Sequence, residues 1–286
     1  MLKDIIQNNT GLVIWDKNIY RYVSYDILSG EEIKLDNQYL SEESIISDVK
    51  KPIITVVSSE QINGSCILII PGGGYRRIVY GREGISVAKY LVSAGYTTFI
   101  LSYRLPESIN DGYYVLNDAN SALKFIKEWS VRNAIQLKSL GVIGFSAGGH
   151  VASWLVSNNY SYNDYIRPDY LALLYPVVSM NKDIAHTGCR RRLLIDESNE
   201  NIYSVELNIP GEMPPVFIVH STDDNDVSVE HSLRLTNALL KIKSSVDVHF
   251  FEKGGHGFGM SDTTGLPVKS WTVLFLNWLA SHSFHC

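Results

Sequence analysis

GVIGFSAGGH, Gly141 to His150, decides how the rest of the chain is read. The run Leu140–Phe145 is short, apolar and suited to a buried strand, and a helical pattern starts at Ala147. Gly144, Ser146 and Gly148 therefore lie on a strand-to-helix turn with the spacing G-x-S-x-G. Such a turn strains the backbone at its central residue and leaves no room for bulk beside it, which is why small residues flank the serine. The turn lifts the serine hydroxyl beyond the sheet, over a helix N-terminus that favours developing negative charge.

Outward from this turn, strand-like and helix-like segments alternate. Ile53–Val57, Cys66–Ile70, Thr97–Ser102, Leu171–Tyr175, Val216–His220 and Val248–Glu252 read as strands. Helices are expected around Val87–Ala94 (closed by Gly95), from a capping or opening Asp118 through Trp129, over Val229–Lys241, and along the stripe Trp271, Leu274, Phe275, Trp278. This order predicts an α/β class with a largely parallel sheet covered on both faces. Residues 1–50 are polar and weakly patterned and are read as an N-terminal extension. The polar stretch Val177–Pro215 breaks the rhythm and is read as an insertion over the sheet end, a lid or substrate-contact segment. Residues 1–286, extension and insertion included, are taken as one domain.

Composition narrows the classes of function. The 286 residues are 45% hydrophobic and 19% charged, enough for a large core and too apolar for a disordered chain. Twenty-five Lys and Arg against 30 Asp and Glu give a net charge of −5, with no basic block, so nucleic acid is not an expected partner. No apolar run approaches the ~20 residues of a membrane helix. The start, Met1–Asn18, lacks a cationic head followed by a long apolar run. A soluble cytoplasmic protein is expected, for which a homo-oligomer is compatible. Cys66, Cys189 and Cys286 are too few for a disulfide framework and are expected as reduced thiols.

A serine hydroxyl is a weak nucleophile and needs a base. His256 sits between glycines in EKGGHGFGM, just after the last expected strand and downstream of Ser146. The base needs an orienting carboxylate, and Asp223, Asp224 and Asp226 all follow the strand Val216–His220. An acyl-transfer transition state also needs preorganised N–H donors for its oxyanion. The glycines of PGGGY (Pro71–Tyr75) after the strand Cys66–Ile70 offer Gly73 and Gly74, and Ala147 offers the amide at the helix start.

These segments together resemble the α/β-hydrolase superfamily, and within it the acetyl-xylan-esterase and feruloyl-esterase-like branch near the hormone-sensitive-lipase-type esterases. The resemblance covers about Ile53 to Leu279 and rests on PGGGY, EGISVAKYL, YRLP, GFSAGGH, LLYPV, PPVFIVHSTDD and KGGHGFG. The order Ser, Asp, His is that of the superfamily. The family pattern selects Asp224 as the acid, through Val227, although Ser228 stands where the pattern has proline. Pro71 replaces the histidine that lipase-like members carry before their glycines, which favours the carbohydrate-esterase branch. The resemblance implies a serine carboxylester hydrolase that removes acetyl or other short acyl groups from a small-molecule or oligosaccharide ester, with no metal or organic cofactor. The alternatives are an arylformamidase, amidase or peptidase with the same triad, an acyltransferase, or a non-catalytic binding member of the fold.

Other residues read less sharply. Tyr75 is assigned to the acyl pocket, with core packing as the alternative. His150 is expected to be packed and hydrogen-bonded rather than a second base, and Arg82 with Glu83 to be a solvated surface pair, with a place at the mouth of the site as the alternative. Arg190–Arg192 are expected as a solvated face that could otherwise meet an acidic sugar.

Overall fold

The computed structural model describes residues 21–33, 41–59, 64–106, 112–158, 166–194, 197–261 and 263–284. Nine described strands form one open sheet: β1 (Arg21–Asp26), β2 (Glu32–Ile33), β3 (Ile53–Ser58), β4 (Ser65–Ile70), β5 (Thr97–Ser102), β6 (Ser139–Phe145), β7 (Tyr170–Leu174), β8 (Val216–Ser221) and β9 (Val246–Phe251). Their order is β2-β1-β3-β5-β4-β6-β7-β8-β9. β1, β2 and β3 pair antiparallel, as do β3 and β5, and every pairing from β5 through β9 is parallel. This is the α/β-hydrolase fold.

The central strands are apolar because helices cover both faces. Every residue of β4, β5, β6, β7 and β8 is buried. β9 lies at the edge, with no buried residue, and carries the polar side chains of Asp247 and His249, which discourage further strand pairing. The described α-helices are α1 (Ser86–Ser93), α2 (Gly112–Arg132), α3 (Ala147–Asn158), α4 (Thr187–Leu193), α5 (Glu200–Tyr203), α6 (Glu230–Lys241) and α7 (Trp271–Ser281). Among the described residues no helix is long and apolar enough to cross a membrane.

Three expectations are corrected. Asp118 does not cap α2 but sits inside it, where its buried carboxylate accepts from the Arg104 amide (2.9 Å) and guanidinium (Nε, 3.0 Å). Residues 21–33 belong to the sheet as its antiparallel margin rather than to a featureless extension. Tyr175 is not a strand residue: β7 ends at Leu174, and Tyr175 turns away with φ 38°.

The topology places the site. β4 and β6 are parallel neighbours with Ile70 beside Gly144, so the loop after β4 and the turn after β6 emerge together. The chain passes from β4 to one side and from β5 back across to β6. That reversal opens a crevice at the carboxyl ends of the strands, where open α/β sheets hold their ligands.

Candidate active site

Ser146 has φ 51°, the strained left-handed conformation expected of a nucleophile turn. The strain is held by hydrogen bonds. The Ser146 amide donates to Leu174 O (3.0 Å), and its carbonyl accepts from Gly149 N (2.9 Å) and Val177 N (3.0 Å). Two glycines let the loop after β4 lie against this turn. A Cβ on Gly148 would fall 2.1 Å from Ile70 O, and one on Gly72 would fall 2.7 Å from Ser146 Cβ.

Ser146 Oγ lies 2.8 Å from His256 Nε2, and His256 Nδ1 lies 2.7 Å from Asp224 Oδ2. A carboxylate can only accept, so Nδ1 carries the proton and Nε2 is free to accept the serine proton. The Asp224 Oδ1 atom accepts from the amides of Asp226 and Val227, each at 2.9 Å. Its Oδ2 also faces His220 Nε2 at 3.2 Å, and His220 Nδ1 lies 2.8 Å from Ser232 Oγ. Burial alone would raise the Asp224 carboxyl. The hydrogen bonds from His220 and His256, the His256 charge and the Val227 amide outweigh it and hold the group well below the usual carboxylate range. Asp223 accepts instead from Gly254 N (3.0 Å) and Gly255 N (2.8 Å), tethering the loop that carries His256. Asp226 stands on the wall of the cavity.

Gly73 and Gly74 line a cavity of about 380 Å³ together with Ser146 and His256. Both glycines have positive φ, 130° and 65°. Among the described residues, neither their amides nor that of Ala147 donates a hydrogen bond. Ala147 is the first residue of α3, so its N–H has no acceptor within the helix.

Tyr75 is corrected from the pocket to the core. It is 1% exposed and is not part of the cavity wall. Its hydroxyl lies 2.7 Å from Nδ1 of His150, whose Nε2 lies 2.7 Å from the Tyr203 carbonyl. A carbonyl only accepts, so Nε2 bears the proton and Nδ1 accepts from the tyrosine. Burial pushes His150 down to about 4, which keeps this bridge neutral.

Glu83 is not half of a solvated pair. It is 2% exposed, on a π-helical turn (Gly81–Ile85) ahead of α1. Its Oε2 accepts from Gly72 N at 2.7 Å and its Oε1 from the Tyr175 hydroxyl at 3.0 Å. Tyr175 Oη in turn accepts from Gly259 N at 3.0 Å, and the tyrosine ring packs edge-on against His256 with centroids 5.0 Å apart. Burial raises the Glu83 carboxyl above its ordinary value, opposed by the Gly72 amide, the Tyr175 hydroxyl and the charges of His256 and Arg82. Glu83 thus ties the glycine loop to the histidine loop. The signal available in the sequence was an acidic residue directly ahead of an apolar helix face.

The described parts of the segment, residues 177–194 and 197–215, are anchored to the body of the fold. Val177, Val178 and Met180 are fully buried. His231 Nδ1 accepts from the amides of Val178 and Ser179 (both 3.0 Å), and its Nε2 lies 2.9 Å from Ile184 O. Arg190 pairs with Glu200 at 3.1 Å, whereas Arg191 and Arg192 face the cavity with His186 and Gly188. Cys66 and Cys189 are buried free thiols, both pushed up to about 12 by burial, and Cys286 lies outside the described residues.

A family model described as BD-FAE matches residues 54–170. The chain is 30% identical over 244 residues to the endo-1,4-beta-xylanase B of Butyrivibrio fibrisolvens, covering 81% of this chain and 38% of that protein. It is 27% identical over 221 residues to the acetylxylan esterase of Xylanibacter ruminicola, covering 75% and 45%. It therefore spans less than half the length of these curated relatives. Among solved structures it is similar to an acetyl ester-xyloside bifunctional hydrolase from Caldicellulosiruptor lactoaceticus, with a TM-score of 0.72 and 31% identity over 85% of this chain and 98% of that one. With its fold, its strand-end constellation and this near-complete overlap, the chain belongs to the α/β-hydrolase superfamily, in the acetyl-xylan-esterase-like branch that carries the BD-FAE domain.

Proposed function

We propose that the chain is a serine carboxylester hydrolase that removes acetyl and other short acyl groups from a carbohydrate. The observation that carries this reading is the unbroken relay Ser146 Oγ, His256, Asp224, with contacts of 2.8 and 2.7 Å, opening on a cavity walled by glycine amides. The names of the relatives, an acetylxylan esterase and an acetyl ester-xyloside hydrolase, support the choice of substrate class.

In this reading Ser146 Oγ attacks the ester carbonyl while His256 Nε2 takes its proton. The oxyanion is stabilised by the amides of Gly73, Gly74 and Ala147. His256 then passes the proton to the departing sugar hydroxyl, leaving an acyl-serine. Water gives a proton to His256 and attacks the acyl carbon, and return of that proton to Ser146 releases the carboxylic acid. The 177–215 segment acts as a fixed wall of the cavity, held by His231 and His150.

Hydrolysis of p-nitrophenyl esters from acetate to octanoate, with wild type and Ser146→Ala in parallel, tests the reading. Turnover should peak at acetate and vanish in the variant. A peak at octanoate would move the function to lipid-like esters, and a folded wild type that turns over none of them would overturn it. Glu83→Gln supplies one further check. It replaces one of two acceptors by a donor, so Gly72 N–H or the Tyr175 hydroxyl loses its partner. The expected result is a drop in kcat larger than any change in KM. Glu83→Ala leaves both groups without that acceptor and should cost about 1–3 kcal/mol for each in denaturant unfolding.

A further inference from the structure

Five arginines face the cavity that holds Ser146: Arg76 and Arg77 from the loop after the glycines, Arg82 from the turn before α1, and Arg191 and Arg192 from α4. The relay does not need them, and neither does removal of acetyl from a neutral sugar. The chain carries a net charge of −5, yet this hollow is basic.

The charged groups facing these arginines are few. Glu83 and Asp226 are the carboxylates of the wall, and Glu83 is already engaged by Gly72 and Tyr175. Among the described residues, none of the five arginines forms an ion pair. Arg192 gives one N–H to Gly188 O, within its own helix, at 3.1 Å. Elsewhere, Arg104, Arg167, Arg190 and Arg234 are each paired with a carboxylate, and Arg132 lies over the Phe125 ring. At the cavity five arginines outnumber the two carboxylates of the wall, one of which, Glu83, also feels the Arg82 charge. Gathering like charges opposes folding, and an anionic ligand is what would offset it.

The residue type narrows the anion. No lysine lines the cavity. Guanidinium groups present paired N–H donors that match the two oxygens of a carboxylate or phosphate. They come from two separate walls, the β4 side and the 177–215 segment, so an anion held between them would set the orientation of the ring that bears it.

We propose that the natural substrate is an acylated sugar that carries its own oxyanion, with a uronate carboxylate as the first choice and a sugar phosphate as the second source of the same chemistry. This rests on the ester-hydrolase reading and names the substrate class for that site. Arg76, Arg77, Arg191 and Arg192 are the residues that select it. Arg82, beside the histidine loop through the hydrogen bond from Met260 N to its carbonyl (3.0 Å), adds to the field.

The experiment compares kcat/KM for three acetylated monosaccharides: a methyl glucuronoside, a glucose 6-phosphate and a methyl glucoside. At low salt the favoured anionic ester should exceed the neutral one by about tenfold or more, the low end of electrostatic steering. That ratio should fall towards one as salt is raised. It should also fall in Arg191→Gln/Arg192→Gln and in Arg76→Gln/Arg77→Gln, while Arg234→Gln, whose partner is Glu230, should leave it unchanged. Whichever anionic arm is preferred identifies carboxylate or phosphate. Equal kcat/KM for all three in the wild type overturns the proposal and leaves the hydrolase reading standing. If none of the three is hydrolysed, calorimetry with Ser146→Ala and free glucuronate or inorganic phosphate decides the anion site alone. Binding that is lost in the arginine variants supports it, and absence of binding overturns it.

Discussion

Replacing Ser146 by alanine is expected to lower ester turnover by about five to six orders of magnitude, with the fold intact. The substitution removes only the Oγ atom, whose hydrogen-bond partner is His256 Nε2. The backbone bonds to Leu174, Gly149 and Val177 remain. The positive φ is equally strained for both residues. Circular dichroism and the thermal midpoint should therefore match the wild type while turnover of p-nitrophenyl acetate disappears. His256→Ala should behave alike. Full activity in a folded Ser146→Ala protein would remove the acyl-serine mechanism.

The second large effect separates three neighbouring aspartates. Asp224→Asn is expected to cost about four orders of magnitude in kcat. An asparagine cannot balance an imidazolium charge. If its amide nitrogen faced Nδ1, it would force the proton to Nε2, and the histidine would meet Ser146 as a donor. Asp223→Asn keeps the Oδ1 atom that accepts from Gly254 and Gly255, so the histidine loop stays tethered and the loss should be below about tenfold. Asp226→Asn alters the cavity wall and leaves the relay intact. Measuring kcat for the three variants at one pH gives the ranking, and a larger loss at Asp223 or Asp226 would move the acid.

The parts of the site that could be read from sequence are those built by neighbours in the chain. The turn around Ser146 is specified locally: an apolar strand, small residues and a helix start within ten positions. His256 was legible for the same reason, through the glycines beside it. Asp224 was not separable from its neighbours by residue type. Its distinction lies in geometry, since it alone of the three reaches His256, and the resemblance to a family had to select it. Glu83 was misread because its burial depends on two distant loops, one carrying Gly72 and the other Gly259, with Tyr175 bridging them. Nothing within a window around Glu83 announces those partners. Tyr75 was misplaced for a related reason, as His150 draws its hydroxyl inward. β1 was missed because its short mixed run RYVSYD becomes a strand only by pairing with β3. Aspartate favours helix openings, which is why the sequence suggests that role for Asp118. Its partner, Arg104, lies in the loop after β5 and draws it into the body of α2.

The segment 177–215 supplies His186, Gly188, Arg191 and Arg192 to the cavity but no member of the relay. One side of the cavity wall is therefore written in a stretch of the chain apart from the relay, while Arg76 and Arg77 supply another side from beside the glycine loop. A relative's segment could be grafted in one piece, changing that side of the cavity without replacing a member of the relay. Such a graft would have to preserve its attachment points, among them the Val177 amide on Ser146 O, the Val178 and Ser179 amides and the Ile184 carbonyl on His231, and the Tyr203 carbonyl on His150. Between those points Cys189 and Leu193 stay committed to the core, and His186, Gly188, Arg191 and Arg192 are the positions at which the wall can be rewritten without touching the relay.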